Sequence, residues 1–530
     1  MRPSRATCRA ENGMVATAHY LGSDAALDAL KRGGTAVDAA IAAASTMSVV
    51  LPHMVGLGGD AFWLIYDAQS RKVHAINGSG PAGARVTAAC YAGEDSVPHR
   101  GPRAAITVPG AVDSWRLAHE RYGRLTMPEL LTRAITYARD GAPVSADLSS
   151  WIATDRDTLA ADPGSTAVFL RDGAAPAAGA RLRQEALAST LERLADHGLR
   201  TFYTQTGRGI AAYLAAAGGY LDATDFADYQ AHWVNPITTR YRGYEAYQLP
   251  PPSQGVAASM ILNFLDGLDL GRFEPDSSGF YHALIQATKW AFQKRDRYLC
   301  DPRFGDIPLS RLLAPSLAAA ERDRWLQDPL RMVVSRASGG DTTFICTADA
   351  EGNAVGLVQS LYFDFGACVA DPDSGVVMQN RGSFFSLDPA HPNALRPGKQ
   401  PASTLMSAML LKDGDPYLVY GSQGGEVQPQ AQTALVTRIV DFGLDVQGAL
   451  DAPRVLYGRT WGDDGSKLLL ESSAPQKTFD ELRARGHPVQ TAQWPHTRMG
   501  TAQAIRLKGP WSEFFEGGAD VRGEGIALGF

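Results

Sequence analysis

The chain has 530 residues, 45% of them hydrophobic, which is enough to bury a large core. Its net charge of -6 and pI near 6.0 give no electrostatic case for nucleic acid or an anionic membrane surface, and its basic residues are scattered, not striped. Length alone allows about two to four domains, although a large mixed α/β fold holds as much in one unit.

The start, Met1-Arg2-Pro3-Ser4-Arg5, is basic, but no continuous apolar stretch of the kind a secretory signal needs follows it. No run of about 18 apolar residues occurs elsewhere. The expectation is a soluble, cytoplasmic protein without a membrane partner. Cys8, Cys90, Cys300, Cys346 and Cys368 are odd in number and lack metal-ligand spacing, so reduced thiols are expected.

In chain order, Ser23 is expected to cap a helix through Asp24 to Lys31, ended by Gly33-Gly34. Thr35 caps the next, through Val37 to Ala44. Phe62 to Tyr66 and Val73 to Asn77 read as a hairpin across Asp67 to Lys72. The middle of the chain, roughly 110 to 330, reads as helical, with periodic segments at Met127 to Arg139, Leu187 to His197 and Phe280 to Tyr298. Strand signals return at 343–349, 354–360, 375–380, 405–411 and 417–421, followed by helices from Gln428 to Phe442 and Ser473 to Arg485. Helices outside stacked antiparallel sheets satisfy the rules for layered α+β domains.

The segment Gly339-Gly340-Asp341-Thr342-Thr343-Phe344 joins a flexible glycine pair to two hydroxyl residues and an apolar run, Ile345 to Ala348. Ser360 follows on a second expected strand, and Pro401-Ala402-Ser403-Thr404 and Gly421-Ser422-Gln423-Gly424-Gly425 add two clusters of small residues. Further pieces are Lys31-Arg32-Gly33-Gly34-Thr35, Gly56-Leu57-Gly58-Gly59-Asp60, Pro251-Pro252-Ser253-Gln254-Gly255 and Gly517-Gly518-Ala519-Asp520. In number, order and spacing this set resembles the γ-glutamyltransferase family of N-terminal nucleophile hydrolases, over almost the whole chain.

The resemblance implies a four-layer αββα sandwich. It also implies that the 530-residue product is a zymogen cut between Asp341 and Thr342, giving a large fragment 1–341 and a small fragment 342–530. The fragments are expected to stay together as an αβ heterodimer, alone or as (αβ)2. A threonine hydroxyl needs a nearby base, and the new α-amine, with a reference pKa of about 7.7 to 8.0, supplies one. Ser360 matches a hydroxyl bonded to the nucleophile, and Gly424 and Gly425 match glycines whose N–H groups meet the oxyanion.

Around the substrate the chain departs from the transferases. The acidic residue that holds an α-ammonium aligns with Phe384, a glutamine becomes Arg381, an asparagine becomes Tyr362, and a histidine becomes Phe344. An ammonium buried without a carboxylate is costly, whereas a guanidinium favours a carboxylate. Ser403 and Thr404 match two serines that bond the substrate carboxylate, and Arg85 lies one position from the family's carboxylate-binding arginine. The pocket implied takes a small-molecule amide with a carboxylate and no α-amine. Two atypical branches fit, one resembling oxamate amidohydrolase and one resembling glutaryl-type cephalosporin acylases. Tyr362, Phe344, Phe384 and Phe385 are expected to crowd the site, which favours the smaller, oxamate-like substrate. The alternatives are a glutathione hydrolase or γ-glutamyltransferase with a rewired amine site, and a non-catalytic relative. Histidines are dispersed and no nucleotide fingerprint follows a strand, so neither metal nor cofactor is expected.

Overall fold

The structure, a computed structural model, describes residues 5–327, 341–458, 467–495 and 499–530. Gly339 and Gly340, the glycine pair before the expected cleavage site, lie outside the described residues. Two seven-stranded antiparallel sheets form the centre. In spatial order, the first runs Cys8–Ala10, Phe515–Ala519, Ala502–Arg506, Asp415–Ser422, Ala408–Lys412, Tyr244–Gln248, Ile237–Tyr241. The second runs Ile526–Gly529, Met14–Thr17, Asp341–Ala348, Ala354–Tyr362, Asp60–Asp67, Lys72–Gly78, His232–Val234.

Phe62, Leu64, Phe344, Val358, Met409, Val419 and Ile505 fill the space between the sheets. Helices Tyr20–Lys31, Ala36–Val50 and Ala111–Tyr122 cover the outer face of the second sheet. Helices Gly255–Asp266, Ser278–Tyr298 and Val427–Val440 cover the first. Each sheet is therefore buried on both faces, giving the αββα order. No helix among the described residues is long and apolar enough to cross a membrane. All five cysteines are unpaired thiols, three of them buried.

Thr35 caps Ala36–Val50 through a reciprocal pair with Asp38. Ser23 does not cap: the first helix starts earlier, at Tyr20, with His19 as its cap, and the Ser23 hydroxyl donates instead to Ile526 O at 2.7 Å across the fold. The middle of the chain contains three strands, between His232 and Gln248, that the helical reading omits. The expected strand at 375–380 makes only isolated bridges, Ala370 to Val377 and Gly58 to Met378.

The sandwich brings its loops together at one end. The Phe344 ring lies 2.4 Å from where a Cβ on Gly421 would sit, and Val419 lies beside Gly356, which pairs with Cys346. Stepping two residues along each strand carries Thr342 and the Gln423–Gly424 turn to the same end. Ala408 pairs with Tyr420, so Ser403 and Thr404, which precede that strand, run toward this end too.

Candidate active site

The pairing between Asp341–Ala348 and Ala354–Tyr362 is regular from Thr343–Gln359 onward but breaks between Asp341–Tyr362 and Thr343–Gln359. Two steps on one strand oppose three on the other, the signature of a bulge, a device that re-aims side chains. Thr342 sits inside this irregularity and is fully buried. Tyr362, across from it, has a φ of 86°, a left-handed conformation that a bulky residue holds only when its surroundings enforce it.

Ser360 lies on the adjoining strand and pairs with Asp60. Its hydroxyl oxygen accepts from Tyr362 N at 2.7 Å and from Arg381 Nη2 at 2.9 Å. Arg381 begins a single helical turn, Arg381–Phe384, held by Asn380, whose side chain accepts from Phe363 N and donates to His99 O. The guanidinium is wholly buried and lies 4.8 Å from the centre of the Tyr362 ring. Its Nε and Nη1 have no hydrogen-bond partner among the described residues; the Asp60 carboxylate is 3.6 Å from Nε. Buried donors without acceptors are rare in proteins, because each forfeits its hydration.

Asp60 belongs to the glycine loop, and the sequence gives it no role. Oδ1 accepts from Gly80 N, Gly110 N and Gln379 Nε2, and Oδ2 accepts from the Ser79 hydroxyl. Burial pushes its carboxyl up to about 6, opposed by Arg381 and by these hydrogen bonds. Burial likewise lowers the Arg381 pKa, opposed by Asp60 and Tyr362. Desolvation outweighs attraction on both partners, so this pair gives little stability on its own.

Gly59 seats the loop directly against Ser360. A Cβ there would stand 2.4 Å from Ser360 O. Gly59→Ala is therefore expected to destabilise by about 1–3 kcal/mol through overpacking. A lowered midpoint in thermal unfolding would register it, and an unchanged midpoint would contradict this contact.

At the facing sheet end, Gly424 and Gly425 have φ of 110° and 54° and precede the helix Val427–Val440. Such consecutive positive φ values suit glycine. Neither N–H meets an acceptor among the described residues. Ser403 and Thr404 are buried; the Ser403 hydroxyl accepts from Leu405 N, and the Thr404 hydroxyl has no partner among the described residues. The backbone of Asp341 pairs with Tyr362, and its side chain lies outside the described set.

Two expectations need correction. Arg85 does not enter this site: its side chain is 70% exposed and pairs with Asp222 at 2.7 Å, beside a surface hollow lined by Arg208 and Tyr220. The aromatic crowding is also smaller than expected. Phe344 belongs to the core between the sheets and Phe385 to a separate cluster with Val86 and Ile106. Tyr362 keeps Phe363 stacked on one side and Phe384 edge-on at 5.9 Å. Among the described residues no group of three or more His, Cys, Asp or Glu is arranged to hold a metal ion.

The sequence matches the gamma-glutamyltranspeptidase family over residues 22–530. It is 43% identical to the glutathione hydrolase-like YwrD proenzyme of Bacillus subtilis, over 97% of this chain and 98% of that protein. It is 39% identical to the oxamate amidohydrolase proenzyme of Klebsiella pneumoniae, over 98% of each. The fold superposes on a cephalosporin acylase from Bacillus halodurans with a TM-score of 0.91 at 33% identity, covering 100% of this chain and 98% of that one. With the αββα layers and matches that run nearly end to end, the chain belongs to the gamma-glutamyltranspeptidase family and is an N-terminal nucleophile hydrolase acting on amide C–N bonds.

Proposed function

We propose that the chain is a proenzyme that cuts itself before Thr342 and then hydrolyses a small amide bearing a carboxylate and no α-amine, of the oxamate type. In the cut, Thr342 Oγ attacks the Asp341 carbonyl, the acyl group moves from nitrogen to oxygen, and water hydrolyses the ester. This leaves a carboxylate on Asp341 and a free amine on Thr342. That amine then takes the proton from its own hydroxyl as Thr342 attacks the substrate amide. The N–H groups of Gly424 and Gly425 receive the oxyanion, and water releases the acid. Ser360 holds the nucleophile's surroundings, and Arg381, Ser403 and Thr404 bind the substrate carboxylate.

The strand order supports a lasting association of fragments 1–341 and 342–530. Asp341–Ala348 lies beside Met14–Thr17, and Ala354–Tyr362 lies beside Asp60–Asp67, so both fragments share one sheet. Separating them would break these ladders and the core between the sheets, so an αβ heterodimer is the expected product.

The observation that carries the substrate reading is Arg381, fully buried with two nitrogens lacking acceptors. A carboxylate presents two oxygens to such a fork. The nearest acid, Asp60, already accepts four hydrogen bonds, and Phe384 stands where the transferases have an acidic residue. An α-ammonium would therefore be buried without a dedicated partner. Incubation of the cleaved enzyme with oxamate, a glutaryl amide and a γ-glutamyl anilide tests this by release of ammonia or amine. Turnover of the γ-glutamyl anilide is expected to be at least about 100-fold below that of the best carboxylate amide, the scale of an unpaired buried charge. Comparable turnover of the anilide would refute the reading. A second reading, hydrolysis of a glutaryl amide, is favoured by the reduced crowding, since Phe344 and Phe385 pack within two separate apolar clusters.

A further inference from the structure

We propose that Gln254 is a positioning residue for acyl transfer, one amide that ties the Gly424–Gly425 turn to the Ser403–Thr404 loop. The inference rests on the reading above, in which those two segments receive the oxyanion and the substrate carboxylate. Gln254 lies in the Pro251-Pro252-Ser253-Gln254-Gly255 segment, just before the helix Gly255–Asp266, and is 1% exposed.

Its side chain is fully committed. Nε2 donates to Thr404 O at 2.8 Å and to Gly425 O at 2.8 Å, which uses both of its hydrogens. Oε1 accepts from Arg295 Nη1 at 3.0 Å, and only an oxygen can face a guanidinium, so the orientation of the amide is fixed. The backbone adds a second tie, with Gln254 N donating to Ser403 O at 2.9 Å and Ser403 N to Pro252 O at 2.8 Å.

Arg295 closes the loop. It is itself buried, and its Nη2 donates to Glu426 Oε1 at 2.6 Å, on the residue that follows Gly425. The glycine turn is thus gripped twice, at its carbonyl by Gln254 and at the next side chain by Arg295. A turn made of two glycines has wide conformational freedom, yet an oxyanion site needs its donors held to a few tenths of an ångström. A clamp from outside the turn meets that need, and it sets the spacing between the oxyanion donors and the carboxylate loop at the same time.

Gln254→Glu is the sharpest test. It keeps the volume and the partnership with Arg295 but replaces two donors by a group that repels both carbonyls. The variant and wild type are compared on denaturing gels, in kcat and KM for oxamate, and in inhibition by n-butylboronic acid, which forms a tetrahedral adduct on a nucleophilic hydroxyl. The expected result is a cleaved protein with kcat lowered about 10- to 100-fold, part of the loss caused by removing an oxyanion donor outright. Boronate affinity is expected to fall by a similar factor, while KM changes less than about 3-fold, a split that general loss of stability would not produce. Unchanged kcat and boronate affinity in cleaved variant protein would overturn the proposal. If Gln254→Glu does not fold, Gln254→Ala, which removes the clamp without adding charge, is held to the same readouts. Failure of the wild type to cleave itself, or to be inhibited by the boronate, would refute the proposed function instead.

Discussion

Thr342→Ala is expected to remain one uncut chain of 56.7 kDa through prolonged incubation, and to lose amide turnover by about three orders of magnitude or more. Both losses trace to one atom. The hydroxyl that would attack the Asp341 carbonyl in the proenzyme is the one that would attack the substrate afterwards. Thr342→Ser keeps that oxygen and is expected to cleave and turn over, more slowly. The proposed base is the α-amine of Thr342; with the reference α-amine pKa of about 7.7–8.0, the rate should fall as pH drops below that range and the amine becomes protonated. Denaturing electrophoresis and N-terminal sequencing of the smaller fragment check the first claim. Two bands from Thr342→Ala, or a small fragment beginning anywhere but residue 342, would remove Thr342 from both roles. In this strand pair the register shifts between Asp341 and Thr343, so the proposed attack would start from a buried bulge and not from regular ladder geometry.

What was legible in the sequence was local or carried by motifs. Thr35 announces its helix because cap and box partner lie three residues apart. The hairpin at Asp60–Asp67 and Lys72–Gly78 follows from two apolar runs and a polar turn. The strands Ala502–Arg506 and Phe515–Ala519, buried on both faces, and the half-buried edge strand Ile526–Gly529 show no sustained alternation of apolar and polar residues, so no strand signal stands out there. Ser23 reads locally as a cap, but the choice between a helix cap and Ile526 O is made by a residue about five hundred positions away. Arg381, Ser360 and Thr342 carry a motif signal in the sequence, whereas Asp60 reads as one more polar residue after glycines until burial and four donors single it out. Arg85 shows the reverse case: an alignment one residue out of step cannot say which way a side chain points, and here it points to Asp222. Gln254 lies in a segment that the resemblance singles out, but its role as a tie has no sequence signal, since its partners are carbonyls of segments about 150 and 170 residues away.

Arg381→Met is expected to cut kcat/KM for a carboxylate-bearing amide roughly 30- to 5,000-fold, the equivalent of about 2–5 kcal/mol for truncating one side of a buried charge pair. A neutral amide of the same size should lose far less, because it never used the guanidinium. The variant also exposes the role of Asp60. Arg381 is the charge that pulls the Asp60 carboxyl down; without it, the folded-state pKa should rise further above about 6. A carboxyl whose folded pKa lies above its unfolded value of about 3.9 favours the folded state only while protonated. Arg381→Met should therefore lose stability relative to wild type as pH rises from about 6, where the wild-type carboxyl ionises, through the raised pKa, and recover it on acidification. Adding Asp60→Asn removes the unpaired carboxylate, so the double variant should regain thermal stability at neutral pH without regaining turnover. That separation is the decisive observation. If stability and carboxylate turnover return together, Arg381 serves the fold and not the substrate; if the neutral amide suffers as much as the anionic one, the guanidinium does not bind a carboxylate.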